Sequence, residues 1–173
     1  MFALELFFDP ELDGIVRGIW NKLEAGGVSS LATRSHRRHT PHVSLAVGPQ
    51  LYRTDPSDWG ELAPPREVSF DSIATFAGPG GVVFYAARPD RDFFAFHRAV
   101  SGRSQGAFEG VDDHYLPGRL TPHCTLAQGL GPQEVGRAVC LAQVHLPLAG
   151  RYAGINLVSI ETGETQRLVE FSP

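Results

Sequence analysis

Thr40-Pro41-His42-Val43-Ser44-Leu45-Ala46-Val47-Gly48 is answered further along the chain by Thr121-Pro122-His123-Cys124-Thr125-Leu126-Ala127-Gln128-Gly129. Six of the nine positions are identical, and a seventh exchanges one hydroxyl for another. Side chains alternate faces along a strand, so His42 and Ser44 share one face, as do His123 and Thr125, while Val43, Leu45, Cys124 and Leu126 take the other. Each copy therefore reads as a strand with an apolar face for a core and a polar pair for a cleft. Pro41 and Pro122 cannot donate to a ladder and belong at strand starts, and Gly48 and Gly129 mark the ends.

Two such strands side by side about a local two-fold would bring two imidazoles and two hydroxyls into one small volume. An unperturbed histidine titrates near pH 6.5, so at neutral pH one ring can accept a proton while the other supplies one. That pairing suits in-line attack on phosphorus. One ring activates water or a ribose hydroxyl, the other protonates the departing oxygen, and Ser44 and Thr125 bind the non-bridging oxygens as charge builds on them. The scheme needs no metal and no cofactor.

These residues resemble the 2H phosphoesterases, which include the bacterial 2′-5′ RNA ligase-like proteins (RNA 2′,3′-cyclic phosphodiesterases). The mark of that family is two copies of His-x-Thr/Ser-x-hydrophobic about half a chain apart. His42-Val43-Ser44-Leu45 and His123-Cys124-Thr125-Leu126 match it, the first with serine where threonine is commoner. The resemblance covers essentially the whole chain. It implies a single bilobal α+β domain over 1–173, with two antiparallel sheets related by a pseudo-two-fold, helices packed outside, and a central cleft carrying both motifs. It implies metal-independent opening of 2′,3′-cyclic phosphates on RNA ends or small cyclic nucleotides, with 2′-5′ RNA ligation as a reverse activity in some members. By the same resemblance His42 corresponds to the proton donor, His123 to the proton acceptor, and Ser44 and Thr125 to the phosphate-binding groups. The two rings can exchange roles between forward and reverse steps.

Two other readings stand beside this one. A non-catalytic nucleotide- or RNA-binding module would use the same cleft, and intact polar pairs in both copies count against it. A metal-dependent hydrolase would use His42 and His123 as ligands, but no Asp or Glu partner stands at ligand spacing.

Composition sets limits without choosing among these. With 173 residues, 42% of them hydrophobic, the chain can bury a proper core. A net charge of −4 argues against a broad electrostatic grip on nucleic acid, yet leaves short or terminal phosphates as substrates. No apolar run reaches membrane-span length and the N-terminus lacks the features of a secretory signal, so a cytoplasmic location is expected, with no membrane and no obligate protein partner. Cys124 and Cys140 form no disulfide framework or zinc spacing and read as small core residues.

Outside the motifs, residues 2–8 read as a strand. Asp9 and Pro10 then open a helix with Ile15, Val16, Ile19, Trp20 and Leu23 on one stripe before Gly26-Gly27. After a connection over 49–66, Val68–Ala77 and Val82–Arg88 flank Gly-Pro-Gly-Gly as a hairpin. A helix is expected at 90–101, a loop over Ser101–Gly118, a helix at 132–143, and a closing hairpin of Tyr152–Ile160 with Gln166–Phe171. Such strand pairs with helices outside them make an α+β arrangement.

Basic residues crowd 34–39, and Arg119 precedes His123 by four positions. Arg38 and Arg119 are the candidates to hold flanking phosphates, the alternative being a solvated basic loop. For base stacking the available rings are Tyr52, Phe76, Phe84, His114 and Tyr115, with Tyr115 the one best placed. His97 and His145 lack a hydroxyl partner at the motif spacing and read as structural.

Overall fold

The computed structural model describes the chain except for residues 53–54, 60–61, 77, 79 and 172–173. Ala77 and Pro79 of the expected hairpin, and four positions of the expected 49–66 connection, lie outside the described residues. Strand β1 (Phe2–Phe8) runs into helix α1 (Pro10–Ala25) across the single residue Asp9. The Asp9 side chain accepts from Glu11 N and Leu12 N, each at 3.0 Å. Pro10 sits where its missing N–H has no intrahelical partner to lose. The buried stripe of α1 is Leu12, Val16, Ile19, Trp20 and Leu23. It starts earlier than the spacing predicts, because Leu12 turns inward while Ile15 stays at the half-buried margin.

The remaining elements are β2 (His42–Gly48), β3 (Glu67–Phe76), β4 (Gly81–Ala87), α2 (Arg91–Ala107), β5 (His123–Leu130), α3 (Pro132–Ala142), β6 (Leu148–Ser159) and β7 (Thr165–Glu170). All pairings are antiparallel, in the order β2-β1-β6-β3-β4-β5, with β7 also on β6. The two expected antiparallel sheets are found as β2-β1-β6-β7 and β6-β3-β4-β5, and β6, which belongs to both, joins them into one seven-stranded sheet. Strand β6 is longer than its alternation suggests. Its first residues, Leu148–Arg151, pair with Glu67–Phe70 of β3, and the rest pairs with β1 and β7. Leu-Ala-Gly-Arg is a poor strand former, and that stretch is a strand only because β3 supplies the ladder.

Helix α2 also exceeds its expected range and takes up the first part of the predicted loop 101–118. Ser101 and Ser104 are buried beside Val100 and Ala107, so a packed face carries the helix through a Gly- and Ser-rich sequence whose propensity is low. The Ser104 hydroxyl donates to Val100 O at 2.8 Å, which removes its own need for water. A short 3₁₀ turn then covers Asp113–Tyr115.

The two motif strands are the ends of the strand order, and other elements satisfy their carbonyls. Trp20 Nε1 of α1 donates to Thr125 O of β5 at 3.3 Å, and Leu31 N donates to Leu126 O at 3.1 Å. Arg34 reaches Gln128 O at 2.8 Å. On β2, His97 Nε2 of α2 lies 3.2 Å from Leu45 O and 3.0 Å from Tyr115 O, while Asp112 N donates to Val47 O at 2.8 Å. A carbonyl only accepts, so His97 Nε2 carries a hydrogen shared between both. End strands covered in this way are shielded from pairing with a second chain.

His97 is 1% exposed. Truncation of His97→Ala is expected to cost about 2–3 kcal/mol, because it leaves two carbonyls short of a donor and opens a cavity; urea unfolding measures it. Burial is the largest cause holding the imidazoles of His97, His123 and His39 below the ordinary histidine value, His39 at about 4. The unfolded chain takes protons on these rings from about pH 6.5 downward, whereas the folded chain accepts them only at lower pH. Stability present above about pH 6.5 is therefore lost as the pH falls towards the folded values. His97→Gln keeps a donor but removes one titrating ring, so its urea midpoint should drop less between pH 7.5 and 5.5 than that of the parent. An equal drop in both would contradict this assignment.

Candidate active site

Proline disfavours helical backbone in the residue before it, so Thr40 and Thr121 are biased towards the extended form ahead of Pro41 and Pro122. Each threonine carbonyl meets the histidine two residues on. His42 Nδ1 lies 2.7 Å from Thr40 O, and His123 Nδ1 lies 2.7 Å from Thr121 O. Since the carbonyl accepts, Nδ1 bears the hydrogen in both rings, and Nε2 is the nitrogen left for chemistry. The two copies thus pin their imidazoles in the same way.

Both rings, together with Ser44 and Thr125, line one cleft of about 520 Å³. The structure therefore brings together all four residues singled out by the repeat. Val43, Leu45, Cys124 and Leu126 point into the core and are fully buried, as the alternation requires. The Cys124 thiol is pushed up to about 12, burial being the main cause, which leaves it a packing residue.

The surroundings of the two histidines differ. His42 Nε2 faces Glu5 Oε1 at 3.4 Å, and Glu5 is 6% exposed. Burial raises the Glu5 carboxyl above its ordinary value, with His42 acting in the opposite direction. His123 instead lies against Phe76 and Phe84, with ring centroids 4.9 Å away in both cases. Its imidazole is held below the ordinary value, first by burial, against the Thr121 carbonyl, and further by the neighbouring His42.

The flanking candidates divide. Arg119 lines the cleft, but its guanidinium donates to Asp113 at 2.6 Å. Arg38 is exposed and is not among the cleft-lining residues. Ser35 and Arg37 have φ of 47° and 58°, and with the chain so turned His36 and His39 line the cleft while Arg38 stands outside it. Tyr115 does line the cleft, yet its phenol is hydrogen-bonded to Ser44 and is raised by burial. It braces a motif hydroxyl and is not a free stacking platform. Among the described residues Phe76 is the phenyl ring that is both exposed and in the cleft, since Phe84 is 2% exposed beneath His123 and Tyr52 lies elsewhere. His114 sits on the rim, paired with Asp112 at 2.8 Å. His145 contacts Lys22 away from the cleft, and Cys140 is exposed on α3, which corrects its reading as a core residue.

Glu5 is a cleft residue that sequence reading passed over, whereas His36 and His39 belong to the basic 34–39 segment already expected at the cleft mouth and do line the cleft. Glu5 had a signal: it is a carboxylate within the apolar run Phe2-Ala3-Leu4-Glu5-Leu6-Phe7-Phe8, placed by alternation on the face opposite Leu4 and Leu6. Which members of that segment turn inward had no local signal, because the placement of His36 and His39 depends on left-handed backbone at Ser35 and Arg37. Among the described residues no three His, Cys, Asp or Glu side chains are grouped to hold a metal ion, and no helix is long and apolar enough to cross a membrane.

The model of the 2′-5′ RNA ligase superfamily matches residues 9–164. No curated protein matches the chain. The matched span includes both histidine motifs, and the chain belongs to the 2′-5′ RNA ligase superfamily of 2H phosphoesterases, whose chemistry is that of phosphoesterases and ligases.

Proposed function

We propose that the cleft opens 2′,3′-cyclic phosphodiesters, on RNA ends or on small cyclic nucleotides, by acid–base catalysis between His42 and His123. The observation that carries this reading is the pair of imidazoles pinned alike through Nδ1, with both Nε2 atoms left for chemistry and the Ser44 and Thr125 hydroxyls in the same cleft. In the forward step His123 Nε2 takes a proton from water as the water oxygen bonds phosphorus. The P–O bond to one ribose oxygen breaks, and His42 Nε2 protonates that oxygen. Ser44 and Thr125 donate to the non-bridging oxygens, where charge grows. With a ribose 5′-hydroxyl attacking in place of water, the same step joins RNA ends through a 2′-5′ bond as the P–O3′ bond breaks and His42 protonates the departing O3′.

A ring kept neutral by burial can act as a base at pH 7, so the low value of His123 supports its role as acceptor. The cleft volume lies within the span of small-molecule pockets, roughly 300–1,000 Å³. Among the described cleft-lining residues Arg119 is the one arginine, and it is already paired with Asp113. Such a site favours one phosphate carried by a compact group over a long polyanion.

His42→Ala and His123→Ala should each lower kcat by about a hundredfold or more with the fold intact. Hydrolysis of nucleoside 2′,3′-cyclic monophosphates in the presence of EDTA is the assay. Near-normal rates in both variants would overturn the mechanism, and binding without turnover in the parent protein would favour the non-catalytic module.

The pH profile should be bell-shaped, its two limbs belonging to the pair of histidines. Because His123 must be neutral to act and burial holds it below about 6.5, kcat/KM should rise as the pH climbs through that lowered value and should be near its plateau by pH 7. A rate still climbing steeply above pH 7.5 would exclude His123 as the base.

A further inference from the structure

β1 and β4 occupy matching stations beside the two motif strands. Glu5 lies opposite Ser44 across the β1–β2 pair, and Phe84 lies opposite Thr125 across the β4–β5 pair. One half of the cleft thus carries a carboxylate at the station where the other carries a phenyl ring. Nothing in the reaction as described uses that carboxylate. A buried carboxylate without a partner is costly, and it is retained where a cation or donor offsets the loss of water. The adjacent group able to become a cation is the His42 ring, at 3.4 Å.

We propose that Glu5 is the positioning residue that makes the two histidines unequal, holding the second ring proton on His42 so that His42 is the donor and His123, enclosed by Phe76 and Phe84, is the base. This inference rests on the phosphodiesterase reading above.

The geometry suits a donor that must let go. A tight charge-assisted N–H···O contact is about 2.7–2.9 Å, and the longer Glu5–His42 separation leaves the Nε2 hydrogen open to a leaving oxygen. After turnover His42 has lost its proton to that oxygen, and His123 has gained one from water. Glu5 is then a buried carboxylate beside a neutral ring, so a solvent proton returns to the pair as His123 releases its own, and the site is reset with one water added to the substrate.

The other groups around the pair do not substitute for Glu5. His39 and His123 are held low by burial, while Tyr115 and Cys124 are held high, so all four are neutral near pH 7. Asp112 also lines the cleft but accepts from His114 N and Nδ1. On β7, Arg167 is engaged by Glu170 and lies over Phe7, and Asn156, the cross-strand neighbour of Glu5 on β6, carries no charge.

The test is imidazole ¹⁵N NMR at pH 7 on the substrate-free protein, comparing the parent chain with Glu5→Gln and Glu5→Asp. The parent should show two ring protons on His42 and one on His123. Glu5→Gln should show one on each, with kcat/KM lower by about tenfold at pH 7 and partly recovered at lower pH; Glu5→Asp should fall between. An identical His42 charge state in the parent and in Glu5→Gln would overturn the proposal. So would a parent His42 carrying a single proton, a result that needs no folded variant. The ring protons are read without substrate, so failure of Glu5 is distinguishable from failure of the phosphodiesterase reading, which the hydrolysis assay decides.

Discussion

Everything at the cleft depends on how the end strands of the sheet are held. β2 and β5 each have a neighbour on one side only, yet they carry the four motif side chains. Trp20 and Leu31 bind carbonyls of β5, while His97 and Asp112 bind carbonyls of β2. These contacts replace the missing ladder partners. They also tie the motif strands to α1, to α2 and to the segment that carries Tyr115. A shift of either helix would therefore move a motif strand, and packing far from the cleft shares in setting the distance between the imidazoles.

Within that frame the two motifs solve one local problem in the same way and then diverge. The Thr-Pro-His sequence directs a carbonyl onto Nδ1 in both copies, so the tautomer is a property of three consecutive residues. What lies on the other side of each ring comes from elsewhere in the chain. Glu5 of β1 gives His42 a carboxyl neighbour, and Phe76 and Phe84 give His123 an apolar one. Two imidazoles in unlike surroundings are no longer equivalent, which is what the proposed acid–base pairing requires.

The asymmetry has a stability cost. A half-enclosed cleft holding a buried carboxylate and several desolvated imidazoles would be less stable than an apolar one. The core beneath it is continuous, running from α1 through Leu4, Leu6, Val43, Leu45, Cys124 and Leu126 to Tyr85 and Phe70. Tyr85 donates its buried hydroxyl to Ala142 O at 2.8 Å, which fastens α3 to β4 with no polar group left over.

The duplicated motif made both strands, their inward and outward faces and all four central residues legible without a structure, because strand periodicity and the proline and glycine limits act over only a few residues. Helix α1 was readable for the same reason, from Asp9, Pro10 and the apolar spacing. The sequence pattern did not show the first four residues of β6 or the last turns of α2. Leu148–Arg151 is a strand because β3 lies beside it, and Arg103–Ala107 is helical because its inner face is covered. Nor did the pattern show that Glu5 meets His42, that Tyr115 braces Ser44, or that Arg38 turns away. Local residues determined which groups are chemically equipped and which way their strands face. Only the tertiary structure decided which distant groups meet them, since side chains far apart in sequence acquire a common environment, and with it their charge states, when the core closes.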